Sequence, residues 1–272
     1  MIKDITERYM SPFRVIGNLY FVGTRPASSH IIDTGDGLIM LDSGYPEDLK
    51  HIINSIQVIG FSCQDIKIIL HSHGHIDHIG NTRSIVQLSG AKTIIGRLDA
   101  DYVTGKRDLS FAKELGMEFS QFFTPDVLLE DGATVSLGNT VIRCIHTPGH
   151  TEGTMSYFFD VMDNGRDLRV GTHGGVGTNS MEKSFLQRYA LPLSLRDDFR
   201  AGLDRLKREH VDVFIGNHQD QCNTVDKYKQ IMAGNKDAFI DSTAWPEFLL
   251  QCENRLDRML AEEDEWERET DR

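Results

Sequence analysis

The stretch Ile66-Lys-Ile-Ile-Leu-His-Ser-His-Gly-His-Ile-Asp-His78 decides the fold predicted for this chain. Its first five residues are apolar apart from Lys67, a pattern typical of a strand buried in the middle of a sheet. Four of the eleven histidines follow within the next eight residues, together with Asp77. Functional groups are commonly placed at the end of a strand, at one edge of a sheet. The stretch therefore predicts a central strand with a chemical site at its carboxyl end.

The spacing of these polar residues favours a metal centre. His73 and His75 are two residues apart, so in an extended segment both side chains point the same way and can share one ion. Asp77 and His78 are adjacent and diverge, which suits a second metal position. A single buried histidine is usually a satisfied hydrogen-bonding group, but burying several such groups unpaired would cost several kcal/mol. Because neutral imidazole and carboxylate are zinc ligands, we interpret the cluster as a zinc site.

Apolar spacing and turn residues on either side of this stretch predict strands that alternate with helices. Strands are predicted at residues 18–22, 29–33, 38–41, 66–70, 92–95, 127–129, 134–136, 140–146, 154–160, 168–172 and 211–215. Helices are predicted at residues 47–59, 81–88 and 194–208 and from the last strand to about residue 265, with mixed helix and loop at 98–126. No repeat or flexible linker divides the chain. Residues 1–272 are therefore expected to form a single domain in which two sheets pack together with helices outside.

Composition and charge exclude several classes of function. The 272 residues carry a net charge of −12, and an acidic chain repels the phosphates of nucleic acids. No stretch approaches the roughly 20 consecutive apolar residues that span a bilayer. We therefore expect a small-molecule substrate, with neither nucleic acid nor membrane as a partner, and the oligomeric state stays open. The acidic residues 262–272 are expected to form the solvated, fraying end of a helix.

The start of the chain and its cysteines bear on the cellular compartment. The first twenty residues contain no continuous apolar run and carry five charges, at Lys3, Asp4, Glu7, Arg8 and Arg14, unlike a secretory signal. The cysteines are far apart and form no paired motif, so they are expected to be reduced and buried: Cys63, Cys144, Cys222 and Cys252. A cytoplasmic protein is expected if Met1 is the natural start. A periplasmic or secreted protein is the alternative if a leader once preceded it.

Three further motifs lie at other predicted strand ends. They are Leu41-Asp42-Ser-Gly44, His146-Thr-Pro-Gly-His150-Thr-Glu-Gly153 and Gly216-Asn-His218. With His73-x-His75-x-Asp77-His78 they occur in the order found in the metallo-β-lactamase superfamily, which the chain resembles from about Pro12 to Ala261. Three segments are similar to the third subclass of metallo-β-lactamases, namely residues 149–158, 198–218 and 237–241.

The resemblance implies an α/β fold, the four-layer αβ/βα sandwich of two mixed β-sheets with helices outside, and two zinc ions per chain. It assigns His73, His75 and His150 to the first zinc. It assigns Asp77, His78 and His218 to the second. In such a site, two zinc ions generate a hydroxide nucleophile from water, and Asp77 would also act in catalysis by orienting it. Asp42 would support the site from behind.

The segment after the predicted strand 168–172 departs from the family pattern. Glyoxalase II, many lactone hydrolases of quorum signalling and the phosphodiesterases carry a metal-bridging Asp there, and this chain has none. The β-lactamases also lack that Asp, which favours a lactamase-like branch. In that subclass a short loop containing serine helps to grip a substrate carboxylate, and here the segment Gly171–Ser180 takes its place.

Three residues near these motifs are interpreted as supporting or pocket residues. His173 is expected to line the pocket, with ligation of the second metal or simple packing as alternatives. His146 is expected to orient a ligand imidazole through a hydrogen bond, or to pack. Ser180, at the end of the glycine-rich segment, is expected to support the site or to line the pocket.

The motifs together predict a dinuclear zinc hydrolase that cleaves an amide, lactam or ester bond with a metal-activated hydroxide. A lactone or thioester hydrolase, like the quorum lactonases or glyoxalase II, is the second enzyme hypothesis. A catalytically inactive metal-binding protein on the same fold is the alternative without enzyme activity. The presence of all six expected ligands argues against the inactive protein.

Overall fold

A computed structural model describes residues 5–270 and places their strands in two sheets. Lys3, Asp4, Asp271 and Arg272, which belong to the charge patterns of the two ends, lie outside the described residues. The first sheet has seven strands, β1 to β7 in chain order: Phe13–Ile16, Leu19–Phe21, His30–Asp33, Leu38–Leu41, Ile66–Leu70, Lys92–Gly96 and Val127–Leu129. Strands β1 to β4 are antiparallel neighbours, whereas β4 to β7 run parallel. The carboxyl ends of β4, β5 and β6 therefore meet at one edge.

The second sheet has five strands in the order β12-β11-β10-β9-β8. In chain order from β8 to β12 they are Thr134–Leu137, Thr140–His146, Met155–Asp163, Arg166–Thr172 and Val213–Phe214. Strands β8 to β11 are antiparallel neighbours, and β12 pairs with β11 in parallel. Both sheets are therefore mixed, as predicted.

Nine helices connect or cover the strands of the described residues. From α1 to α9 they are Ile5–Arg8, Leu49–Val58, Ile76–Ile79, Thr82–Ser89, Ala100–Val103, Lys183–Arg188, Leu195–Leu206, Thr224–Met232 and Ala244–Thr270. Within residues 5–270, none of these helices combines the length and the apolar character that crossing a membrane requires.

The apolar strands of the first sheet are explained by burial of both faces. In β4, Ile39 and Leu41 belong to the core between the sheets, whereas Leu38 and Met40 pack in the core beneath α2 and α4. Helices α7 and α9 cover the outer face of the second sheet, where Trp245 packs edge-on against Phe158 of β10. The order of layers is helices, sheet, sheet, helices, which confirms the predicted four-layer sandwich.

Several predicted elements have the observed bounds, and others need correction. Strands β4, β5, β7 and β9 begin and end at the predicted residues, and all four cysteines are buried and unbonded. The predicted strand 211–215 is shortened to β12. The continuous helix predicted after it is wrong, because the non-helical residues 233–243 separate α8 from α9. Gly234 has φ of 101°, a conformation that favours glycine and ends a helix. The sequence analysis also misses α1, β1, α3 and α6.

The acidic end of the chain is the largely exposed end of a helix, as predicted, but two of its side chains are held by ion pairs. Helix α9 continues to Thr270. Glu263 pairs with Arg196 of α7 at 2.7 Å, and the two side chains are only 22% and 14% exposed. Glu267 pairs with Lys183 of α6 at 2.5 Å. These ion pairs hold part of the acidic segment against the body of the protein.

Candidate metal centre

Three histidines from two loops come together at one edge of the sandwich. His73 and His75 lie between β5 and α3, and His150 lies in the loop between β9 and β10. The potential ligand atoms of the three side chains all lie within 4.8 Å of one another. The fold therefore assembles the group that the resemblance assigns to the first zinc.

A second group lies beside the first. Asp77 and His78 are on the short helix α3, and His218 follows β12. The Nε2 atom of His78 lies 3.2 Å from Asp77 Oδ2 and 3.3 Å from His218 Nε2, and His218 Nε2 lies 3.5 Å from Asp77 Oδ2. His73 is also within 4.8 Å of the Asp77 and His78 ligand atoms, so the two positions adjoin.

Hydrogen bonds from the Nδ1 atoms of four histidines direct their Nε2 atoms toward the centre. The acceptors are Gly174 O for His73 (2.7 Å), Gly177 O for His150 (2.8 Å), Pro26 O for His218 (2.6 Å) and Asp42 Oδ2 for His78 (2.8 Å). An oxygen acceptor requires the proton on Nδ1. In the neutral ring, Nε2 then carries the lone pair that a metal ion needs.

The electrostatics of the centre favour a cation at the point where these atoms meet. Burial, reinforced by neighbouring imidazoles, holds the pKa of His73 and of His75 well below the usual range, so both rings are neutral. Burial alone would lower the pKa of His78, but the carboxylates of Asp77 and Asp42 outweigh it and raise that pKa to about 10. Despite its burial, Asp77 has a pKa below its usual range because His78 and His218 lie beside it.

The residues present fit zinc. The Nε2 atom of His73 is buried and has no hydrogen-bond partner among the described residues. A buried polar atom without a partner is costly, and an ion at this point would satisfy it. Five imidazoles and one carboxylate form a donor set of the type that zinc prefers. The carboxylate of Asp77 supplies negative charge at the boundary between the two positions.

Asp42 supports the centre from beneath. It follows β4 and accepts hydrogen bonds from His78 Nδ1 (2.8 Å), from the backbone N–H of Ser72 (2.7 Å) and from the Ser72 hydroxyl (2.6 Å). Its φ of 55° is unusual for a residue other than glycine. Strained backbone of this kind is often found at functional sites. Asp42 therefore orients one proposed ligand and also ties the His73 segment to β4.

The segment Gly171–Ser180 supports the histidines through its backbone. The carbonyl groups of Gly174 and Gly177 accept the Nδ1 hydrogen bonds of His73 and His150. A Cβ atom on Gly175 would lie 2.5 Å from His150 Cδ2, so the ring packs directly on this glycine. The hydroxyl of Ser180 is buried and donates to the carbonyl of His150 at 2.6 Å. The glycines are needed for close packing against the ligands, and Ser180 is engaged with the His150 loop.

Two histidines from the sequence analysis lie outside the ligand groups. His173 does not line the described cleft: it is buried against Phe199, and its Nδ1 accepts a hydrogen bond from the N–H of Gly175 at 3.2 Å. Burial lowers the pKa of His173 to about 3, so the ring is neutral. His146 bonds to the carbonyl of Glu152 at 2.8 Å and thereby closes the loop that carries His150. It makes no hydrogen bond to a ligand imidazole among the described residues.

A cleft of about 280 Å³ opens above the centre. Phe111, Leu115 and Val176 provide an apolar wall, and Phe111 lies 5.0 Å from the His75 ring between ring centres. Among the described residues that line it, Arg255 of α9 is the only Lys or Arg. No carboxylate of the described residues lies within 4.0 Å of its guanidinium group. The cleft therefore offers an apolar wall, the proposed ligands and one cationic side chain.

Sequence reasoning misses several supporting groups. Asn217, inside the Gly216-Asn-His218 motif, donates from Nδ2 to Gly174 O at 2.6 Å. Its position next to a proposed ligand was a signal for this role. The carbonyl of Pro26, which accepts from His218, had no such signal, because every residue has a carbonyl group.

Comparison with known proteins agrees with the fold. Residues 22–179 match the Metallo-beta-lactamase superfamily, which is more than half of the chain. The chain therefore belongs to the metallo-β-lactamase superfamily.

The chain is similar to several individual proteins. The FEZ-1 metallo-β-lactamase from Legionella gormanii is 30% identical, with a TM-score of 0.87 over 95% of this chain and 98% of that one. BJP-1, a subclass B3 metallo-β-lactamase of Bradyrhizobium japonicum, is 27% identical, with a TM-score of 0.85 over 94% and 96% of the two chains. The probable metallo-hydrolase YflN of Bacillus subtilis is 32% identical over 171 residues, which are 57% of this chain and 60% of YflN. The match thus spans less than two thirds of this curated relative.

Proposed function

We propose that the protein is a dinuclear zinc hydrolase that cleaves an amide or lactam bond, or a related ester. The observation that carries this proposal is the convergence of two adjoining ligand groups. His73, His75 and His150 would hold one zinc, and Asp77, His78 and His218 would hold the other. Similarity to FEZ-1 and BJP-1, whose described activity is that of metallo-β-lactamases, supports a lactam-like substrate.

The chain's own residues suit a hydrolysis at this place. When bound, zinc lowers the pKa of a coordinated water toward neutrality and polarises a carbonyl group. The Asp77 carboxylate is ionised and lines the cleft, so one of its oxygens can accept a hydrogen bond from the attacking water and orient it. Phe111 and Leu115 shield one side of the cleft from solvent. The buried histidines beneath hold their positions through the Nδ1 hydrogen bonds.

The segment after β11 bears on the choice between the two enzyme hypotheses. Strand β11 ends at Thr172, and His173 and Gly174 follow it without a carboxylate that could bridge two ions. This composition favours the lactamase-like hydrolase over the lactone or thioester hydrolase. It also leaves the cleft without a serine side chain directed at the substrate from this loop, because Ser180 is bonded to His150.

Arg255 supports a substrate that carries a carboxylate. Its guanidinium group is the only Lys or Arg side chain among the described residues of the cleft. A planar guanidinium matches the geometry of a carboxylate. We include a carboxylate near the scissile bond in the proposed substrate class for this reason.

Hydrolysis of a chromogenic cephalosporin by zinc-loaded protein tests the proposal, with a lactone, a thioester and a simple ester in parallel. We expect turnover of the cephalosporin that a chelator removes and added zinc restores. D77N should lose at least about 100-fold in turnover, the lower range for removal of a group that acts on the proton of the attacking water, while its circular dichroism is unchanged. Turnover unaffected by the chelator, or fully retained in D77N, would contradict the mechanism. Chelator-sensitive turnover of only the lactone or thioester would support the second enzyme hypothesis.

A further inference from the structure

Asp99 is a buried carboxylate that the sequence analysis did not single out. It lies after β6, at the start of α5, and its side chain is 0% exposed. It has no basic partner among the described residues, yet it accepts three hydrogen bonds. The donors are the backbone N–H of Gly74 (2.8 Å), the backbone N–H of Gly153 (2.7 Å) and the hydroxyl of Thr151 (2.7 Å). All the hydrogen bonds recorded for the Asp99 side chain are thus made to two loops.

These two loops carry the three proposed ligands of the first metal position. Gly74 lies between His73 and His75 in the chain, and Thr151 and Gly153 follow His150 almost at once. One carboxylate therefore bonds to both of the loops that carry these ligands. Strand β10, which follows the His150 loop, is also joined to the His73 segment: the backbone N–H of Met155 donates to Ser72 O at 2.9 Å.

The three chain segments meet at glycines. A Cβ atom on Gly153 would lie 2.4 Å from the Asp99 nitrogen, and one on Gly96 would lie 2.0 Å from the Gly153 carbonyl oxygen. A Cβ atom on Gly74 would lie 2.9 Å from Tyr102 Cβ of α5. The loops thus approach Asp99 and α5 more closely than any residue with a Cβ atom at these positions would allow. Close approach of this kind fixes the loops relative to β6.

A role in capping α5 does not account for the side chain. Asp99 occupies the N-cap position of α5, but its carboxylate makes no capping hydrogen bond to that helix. Burial of a carboxylate without a cationic partner is costly, and hydrogen bonds to it reduce that cost. All of these bonds go to the two ligand loops. The arrangement therefore serves the loops rather than the helix.

We propose that Asp99 is a positioning residue that sets the spacing between the His73–His75 pair and His150, and so determines zinc affinity at the first metal position. This inference rests on the proposed function, since it requires zinc at that position. Asp99 acts through the backbone of the ligand loops and touches neither the ion nor the substrate.

Zinc affinity of the full chain, measured by competition with a chromogenic chelator, tests the inference. We expect D99N to bind the first zinc about 10- to 100-fold more weakly, the usual effect of losing a group that orients metal ligands. In D99N the amide NH₂ group replaces one carboxylate oxygen, so it faces a hydrogen-bond donor and that hydrogen bond is lost. The visible spectrum of the cobalt-substituted protein should change in D99N as well, because the geometry of the histidines changes.

D163N is the matched control. Asp163 is also a buried carboxylate, 5% exposed, and it joins two chain segments by bonding to Arg14 and Arg166. It lies at the other end of β10 from the metal centre. D163N should lose stability yet keep the zinc affinity and the cobalt spectrum of the wild type.

Substitutions of Thr151 provide a second pair of variants, which change only one of the three donors and can be used if D99N does not fold. T151V removes one donor to Asp99 and should lower the zinc affinity of the first position. T151S keeps the hydroxyl and should have the wild-type affinity. Wild-type affinity in D99N and T151V would overturn the inference and leave the proposed function intact. Absence of zinc binding by the wild-type chain would overturn both.

Discussion

Four of the five histidines of the metal centre are oriented by a hydrogen bond from Nδ1 to an oxygen acceptor, and these bonds are of two kinds. His78 is oriented by a side chain, Asp42, whereas His73, His150 and His218 are oriented by backbone carbonyls. Asp42 could be predicted from the sequence because an acidic residue at a strand end is a visible signal. Asp99 is likewise an acidic residue shortly after a strand, β6, but it lies in none of the four motifs quoted from the sequence, so it was missed. The backbone carbonyls could not be predicted, because their role depends only on where the loops lie.

At the scale of single residues, D42N should lower the zinc affinity of the second position by about 10- to 100-fold, because His78 loses the acceptor that orients it. Asn tolerates the left-handed backbone at φ 55°, so the substitution tests the hydrogen bond rather than backbone strain. A zinc titration compares D42N with D33N, a carboxylate at the end of the neighbouring strand β3. Equal affinities in the two variants would show that Asp42 does not support the site.

Arg255 gives a prediction about the substrate. R255Q should raise KM for a carboxylate-bearing substrate by about fivefold, as expected for loss of one exposed ion pair, and leave kcat nearly unchanged. The KM for a neutral ester should not change. R258Q, one turn further along α9 and outside the cleft lining, is the control. An equal effect on charged and neutral substrates would argue against a carboxylate site at Arg255.

At the scale of elements, the ends of parallel strands account for most of what the sequence could predict. Strands β4 and β5 are apolar on both faces, and this pattern together with the polar residues that follow them indicated both the sheet and the site. The glycine segment after β11 was harder to interpret. Because it takes the place of a substrate-binding loop, side chains were expected to be its functional groups. Instead, its carbonyl groups accept hydrogen bonds from the proposed ligands, and its glycines leave room for the ligand rings to pack closely.

This interpretation predicts that G175A displaces His150, because the added Cβ would lie 2.5 Å from its ring. Zinc affinity at the first position should fall, and the fall should be visible by titration. G202A is the control on the other side of the same loop. A Cβ on Gly202 of α7 would meet Thr147 at an ordinary 3.6 Å, so this change should raise the free energy of unfolding by about 0.5–1 kcal/mol and leave zinc binding unchanged. Unaltered zinc affinity in G175A would contradict the packing argument.

At the scale of the whole molecule, the proposed centre joins the two sheets. His73 and His75 follow β5 of the first sheet, whereas His150 and His218 follow β9 and β12 of the second. An ion bound by residues from both sheets binds the folded state and not the separated strands. The stability of the sandwich is therefore expected to depend on the metal.

Removal of zinc should lower the melting temperature. Zinc present at about 1,000 times its Kd would contribute about 4 kcal/mol. For a chain of this size that corresponds to a fall of roughly 8–16 °C on chelation. Thermal unfolding with and without a chelator, followed by addition of zinc, measures the change. A melting temperature that does not respond to the chelator would show that the centre does not link the sheets through a metal.

The zinc content of the purified chain, after dialysis against metal-free buffer, tests the central claim most directly. The account predicts about two zinc ions per wild-type chain and about one in H218A, which lacks a ligand of the second position only. It predicts a similar loss of one ion in H150A, from the first position. A wild-type chain that retains no zinc, or a content of two that neither substitution changes, would contradict the assignment of these six residues.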